Sequence, residues 1–207
     1  MIFKNKSPLL IQYEIFRSLI PYKTESIYID TSYGRTHVLV SGPIESPPII
    51  MLHGMKTSSA QAMRELQHLL PKYRLFAIDM IGESVMSDDT LVSYQTKDYA
   101  HWLEEVRLKL ELQNLNILGI SLGGFVASLY TLVYPTHVKK LSLLVPAGYV
   151  HGPLVAGLTK FAWPFLVYKL KSNDRNFARF LETLLTTKEE IWVRYLRVAF
   201  DCYKFNL

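Results

Sequence analysis

Residues 116–125 read "NILGISLGGF", and the pentapeptide inside them, Gly119-Ile120-Ser121-Leu122-Gly123, governs how the rest of the chain is read. A lone G-x-S-x-G says little, because small residues recur by chance; the setting carries the information. Ser121 follows "LNILGI", which reads as a buried strand. After it lies "LGGFVASLYTLVYP", apolar at helical spacing and ended by Pro135. A tight strand-to-helix turn forces neighbouring backbones together, so side chains at 119 and 123 would clash. Ser121 is then expected in strained backbone, its hydroxyl at a helix N-terminus where developing negative charge is favoured. The competing reading is a glycine-rich turn with an incidental serine. The strand–turn–helix setting favours a nucleophile position.

Working outward, the same alternation continues in both directions. Residues 25–30 and "GRTHVLVSG" read as two strands joined by a turn at Tyr33-Gly34. "PPIIMLHG" and "YRLFAIDMIG" are buried strands, with a helix over 58–71 between them. "KDYAHWLEEVRLKLEL" is a helix with Trp102, Leu103, Val106 and Leu110 at helical spacing, and "VKKLSLLVPAG" is the last strand. Strand and helix alternating from 48 to 146 predict an α/β fold: a mostly parallel sheet of about six strands flanked by helices. From Gly152 the pattern changes to three helical stretches, near 154–170, 175–186 and 188–204.

Composition bounds the function. The 207 residues suffice for one sizeable core, and 49% hydrophobic with 20% charged residues excludes a disordered chain. The net charge of +5 is spread along the chain, so no nucleic-acid partner is expected. Gln12, Glu14 and Arg17 interrupt the N-terminal apolar run, which reads as an amphipathic helix rather than a signal peptide. Lys160, Pro164 and Lys169 interrupt 153–170, so membrane contact is not expected. The lone Cys202 fits a cytoplasmic location. No cluster of His and Cys suggests a metal, and no organic cofactor is expected.

Four segments occur together in order: "MLHGM" at 51–55, "FAIDMIGES" at 76–84, "GISLGG" at 119–124 and "YPTHVKKLSLLVPAG" at 134–148. In this the chain resembles the α/β-hydrolase family, and most closely its serine esterases with a helical cap after the sixth strand. The resemblance implies an α/β-hydrolase core over 1–150 and a helical cap segment over 151–207. It implies Ser121 as nucleophile toward a small acyl substrate, with an oxyanion hole formed by the backbone N–H groups of Met55 and Leu122. His53 and Gly54 would shape the oxyanion loop, His53 by hydrogen bonds, while Gly119 and Gly123 allow the turn. Asp79 would fix the loop after its strand, and Glu83-Ser84 departs from the second glycine the family often has there. His151, Phe161 and Trp163 are candidates to line the substrate pocket.

A serine hydroxyl needs a general base, and the family order is Ser, then an acid, then His. After Ser121 the only histidines are His137 and His151, and the first acid, Asp174, follows both. His137 lies at the wrong end of the sheet. His151 falls on the correct edge with no acid to orient it, and an ordinary loop histidine is the expected reading. The core is thus expected to lack its last two strands, leaving the sixth as an open edge prone to self-association. Three explanations stay open: part of a longer hydrolase, a short protein that binds without catalysis, or a partner chain that supplies the rest. The expected function is a serine esterase of low or no activity; the alternative is a non-catalytic ligand- or partner-binding protein on the same fold.

Overall fold

Period-two patterning over residues 24–41 folds as a hairpin, β1 (Thr24–Thr31) and β2 (Gly34–Ser41), paired antiparallel from Thr24↔Ser41 to Thr31↔Gly34. The short apolar runs form the parallel strands β3 (Pro48–Leu52), β4 (Arg74–Ile78), β5 (Leu115–Ile120) and β6 (Val138–Leu144). They assemble into one six-stranded sheet in the order β1-β2-β4-β3-β5-β6, antiparallel only where β2 meets β1 and β4. The expected α/β sheet is therefore present. The computed structural model describes residues 3–149, 157–183, 185 and 189–203. The chain divides into two compact units, Met1–Ala147 with Cys202–Leu207, and Gly148–Asp201.

In the first unit the helices are α1 (Ser7–Ser18), α2 (Ser59–Glu65), α3 (Asp98–Lys109) and α4 (Leu122–Val133). Alternation along a strand sends successive side chains to opposite faces. Ile50, Leu52, Phe76, Ile78 and Ile117 share a buried cluster with Trp102 and Val106 of α3 and Val126 and Tyr130 of α4. Trp102 Nε1 donates to Thr36 Oγ1 at 2.9 Å, which satisfies the one polar atom of a fully buried ring. α2 packs on β3 and β4, and α1 packs on α2. The single helix expected over 58–71 is instead α2 followed by a 3₁₀ turn at Gln67–Leu69, a common tightening of a last helical turn, here just before Pro71. β6 pairs only with β5 among the described residues, and Lys139, Lys140, Ser142 and Leu144 along it are exposed.

Among the described residues of the second unit, every regular element is a helix. A π-helical turn (Gly157–Ala162) leads into α5 (Trp163–Leu170), followed by α6 (Asp174–Leu181) and α7 (Glu190–Cys202). Pro164 explains why α5 begins where it does: lacking an N–H, it is tolerated in a first helical turn. Asn173 caps α6, its side chain accepting from Asn176 N–H at 2.9 Å. Aromatic packing joins the three helices, with Phe180 ring centroids 5.3 Å from Phe165 and 4.9 Å from Phe200. Among the described residues no helix is long and apolar enough to cross a membrane.

Candidate active site

The turn from β5 to α4 carries Ser121 at φ 51°, ψ −113°, a conformation that costs an L residue roughly 1–3 kcal/mol. Several bonds hold it there. Ser121 N–H donates to Leu144 O at 2.9 Å, and Ser121 O accepts from Gly124 N–H at 2.9 Å and Ala147 N–H at 3.0 Å. The flanking glycines follow from close approach. A Cβ on Gly119 would lie 2.6 Å from Gly124 Cα, and one on Gly123 would strike the Leu52 carbonyl and lie 2.6 Å from His53 O. Gly123 thus lets the N-terminus of α4 rest directly on the backbone at the end of β3. That contact brings the turn beside the β3 loop: a Cβ on Gly54 would sit 3.7 Å from Ser121 Cβ.

In the β3 loop, His53 is fully buried and both ring nitrogens are occupied. Met80 N–H donates to Nε2 at 3.0 Å, so the proton resides on Nδ1, which donates to Gly54 O at 2.7 Å. Burial is the largest influence on this ring and lowers its pKa, against the opposing pull of Asp79, so the ring stays neutral. Thr57 adds two more donors to the same carbonyl, Oγ1 at 2.8 Å and N–H at 3.3 Å.

The β4 loop is organised by Asp79, also fully buried. Its carboxylate accepts from His37 Nδ1 at 2.7 Å, Ser59 N–H at 2.9 Å, and the hydroxyls of Ser59 and Ser84, both at 2.5 Å. Burial pushes the Asp79 pKa up, but the hydrogen bond and charge of His37 with the Ser59 bond outweigh it and hold the group below its ordinary range. Asp79 thereby ties β2, the start of α2 and the loop at 84 into one junction. A few residues on, Glu83 is nearly buried and accepts from Lys56 N–H at 3.2 Å and from the Tyr94 hydroxyl, with Lys56 Nζ at 3.4 Å.

Among the described residues the N–H groups of Met55 and Leu122 have no acceptor, and neither does Ser121 Oγ. Ser121 is half-buried, and the Met55 side chain is exposed. Leu122 follows Ser121 directly, and Met55 follows Gly54, the residue beside Ser121. No histidine nitrogen among the described residues bonds to Ser121: His37 and His53 are held as above, His101 Nδ1 meets the Tyr134 hydroxyl at 2.8 Å, and His137 Nδ1 lies 3.3 Å from Glu104. His151 lies outside the described residues. Phe161 lies in the π-helical turn, and Trp163 opens α5 with 64% of its surface exposed, both in the second unit. Among the described residues no group of three His, Cys, Asp or Glu could hold a metal ion.

Sequence reading missed Thr57 and the network around Asp79, and it met Glu83 only as a departure from a pattern. One signal was available: His37 directly precedes the apolar run "VLV" of a buried strand, which calls for a buried partner.

The alpha/beta hydrolase fold family matches residues 47–190. The chain is 38% identical over 130 residues to the uncharacterized carboxylesterase nap of Bacillus subtilis (strain 168), which covers 63% of this chain and 43% of that protein. It is 32% identical over 135 residues to carboxylesterase YbfK of the same organism, covering 65% of this chain and 46% of that protein. The chain thus spans less than half the length of these relatives. The crystal structure of naproxen esterase (carboxylesterase NP) from Bacillus subtilis superposes with a TM-score of 0.74 at 29% identity, covering 92% of this chain and 65% of that one.

Proposed function

The chain belongs to the α/β-hydrolase fold family, and on that footing we propose that Ser121 is the nucleophile of a serine esterase acting on small carboxylic esters. The observation that carries this reading is the strained Ser121 beside the unpaired N–H groups of Met55 and Leu122. Ser121 Oγ attacks the acyl carbon, and the carbonyl oxygen becomes an oxyanion that the two N–H groups receive. Each donor of this kind is worth about 2.7–4 kcal/mol of barrier. The N-terminal end of α4 adds a favourable dipole at the same point. The proton of Ser121 must leave for a base and pass to the departing alcohol as the C–O bond of the ester breaks, which leaves an acyl-enzyme that water hydrolyses to the acid and free Ser121. The carboxylesterase relatives support the ester as substrate class.

The order of acids and histidines after Ser121 supports a second proposal, that these 207 residues turn over esters slowly or not at all. The absence of a histidine bonded to Ser121 among the described residues favours the alternative of a binding protein on this fold. A fluorophosphonate probe separates the two. A reactive Ser121 is labelled stoichiometrically and loses the label in Ser121→Ala; a folded chain that stays unlabelled counts against an assembled serine site. p-Nitrophenyl ester turnover tests the base: negligible turnover is expected, and robust turnover abolished by His151→Ala would assign the base to His151. We also propose that the β6 edge drives self-association, supported by its single pairing strand among the described residues and its exposed side chains.

A further inference from the structure

Met55 stands between two peptide groups that are each gripped from outside. The first is Gly54–Met55. Its carbonyl, Gly54 O, accepts from His53 Nδ1 at 2.7 Å, Thr57 Oγ1 at 2.8 Å and Thr57 N–H at 3.3 Å. A trans peptide is planar, with C=O and N–H pointing oppositely. Three donors that fix the Gly54 carbonyl therefore also fix the direction of Met55 N–H. The second is Met55–Lys56, whose N–H donates to Glu83 Oε2 at 3.2 Å. Lys56 itself is at φ 55°, which a side-chain-bearing residue adopts only when its surroundings hold it there. The Glu83 carboxylate is 5% exposed and is charge-matched by Lys56 Nζ at 3.4 Å, while the Tyr94 hydroxyl donates to its other oxygen. Tyr94 is stacked at 5.1 Å on the buried Tyr99, so this clamp is anchored in the core.

We infer that Thr57 and Glu83 are positioning residues that hold the two peptides of Met55 so that its N–H is aimed before substrate arrives. This rests on the reading of Met55 N–H as an oxyanion donor. Thr57 acts through the Gly54 carbonyl and Glu83 through Lys56 N–H; neither touches substrate. An amide held in this way needs no reorganisation when the oxyanion forms, which is where such donors have their effect.

The experiment compares the whole chain with Thr57→Val, Thr57→Ser and Glu83→Gln, all close in size to the residues they replace. Two readouts are taken: the Met55 amide order parameter by ¹⁵N relaxation, and the saturation kinetics of Ser121 labelling by a fluorophosphonate. The native Met55 amide is expected near 0.85 and that of Thr57→Val below about 0.6. The maximal labelling rate of Thr57→Val is expected to fall about tenfold or more with the probe's reversible affinity unchanged, Glu83→Gln less, and Thr57→Ser to recover most of it. Labelling rates equal to the native chain in Thr57→Val and Glu83→Gln would overturn the inference, as would an unchanged Met55 order parameter in both. A native chain that is not labelled sinks the nucleophile reading instead, and the order parameters then decide by themselves whether Thr57 and Glu83 hold this amide.

Discussion

At the carboxyl ends of β3 and β4, the polar groups of His53, Asp79 and Ser84 are buried and hydrogen-bonded, His53 to Met80 N–H and Gly54 O, and Ser84 to Asp79. At β6, Lys139, Lys140 and Ser142 are exposed, and Val145 just beyond it is 80% exposed at φ 43°. The first region is over-determined: the Gly54 carbonyl has three donors and the Asp79 carboxylate four. The second has one pairing strand, with a β-branched residue held in the left-handed region at its end. A conformation that must be maintained against strain needs redundant bonds around it. Ser121 joins the two regions, taking the turn from β5 and bonding to Leu144 O at the end of β6.

The strongest way to break this contrast is Asp79→Ala. It leaves His37 Nδ1, Ser59 N–H and the two hydroxyls without their acceptor inside the core. Urea denaturation is expected to show a loss of about 3–5 kcal/mol. The native junction is also acid-sensitive. His53 and Asp79 both have folded pKa values below their ordinary ones, so the unfolded chain binds the additional protons. Stability is expected to fall as pH drops below about 6.5 through His53, and again below about 4 as Asp79 is protonated. Denaturation midpoints measured between pH 8 and 3 check the sign; a midpoint that rose on acidification would refute it.

Gly123→Ala comes next. Its methyl would press on the Leu52 carbonyl, which is backbone and cannot swing away. A loss of about 1–3 kcal/mol is expected in the same assay, together with slower labelling of Ser121. Ser121→Gly sharpens the comparison from the other side, because glycine accepts φ 51° without a Cβ penalty. A gain of about 1 kcal/mol in unfolding free energy is expected for Ser121→Gly and none for Ser121→Ala. Equal stability of the two variants would show that the turn stores no strain. The smallest effect on unfolding is expected at β6. Leu144→Lys is expected within about 0.5 kcal/mol of the native chain, while sedimentation velocity shows less concentration-dependent association than native. Unchanged association would remove β6 as the contact.

Much of the architecture is legible in local sequence. Apolar runs of five to six residues at β3, β4 and β5 and helical periodicity in α3 and α4 follow from repeat lengths set by the backbone. The site is legible only where it depends on backbone sterics. Gly119 and Gly123 are forced by a tight turn, and that turn identifies Ser121. Thr57 is one hydroxyl residue in "KTSS", with nothing in that string to say which carbonyl it meets. Glu83 breaks a familiar pattern without revealing that Lys56 and Tyr94 surround it.

The sequence by itself determined the order of strands and helices and the identity of the turn that presents Ser121, because periodicity and the clash of a Cβ are short-range properties of the chain. Tertiary structure alone decided which buried polar groups meet. His37 and Asp79 are 42 residues apart and Lys56 and Glu83 are 27 apart. Whether such groups become partners depends on strand order and register, since a buried donor or acceptor must find its complement among whatever the packed strands bring within about 3 Å.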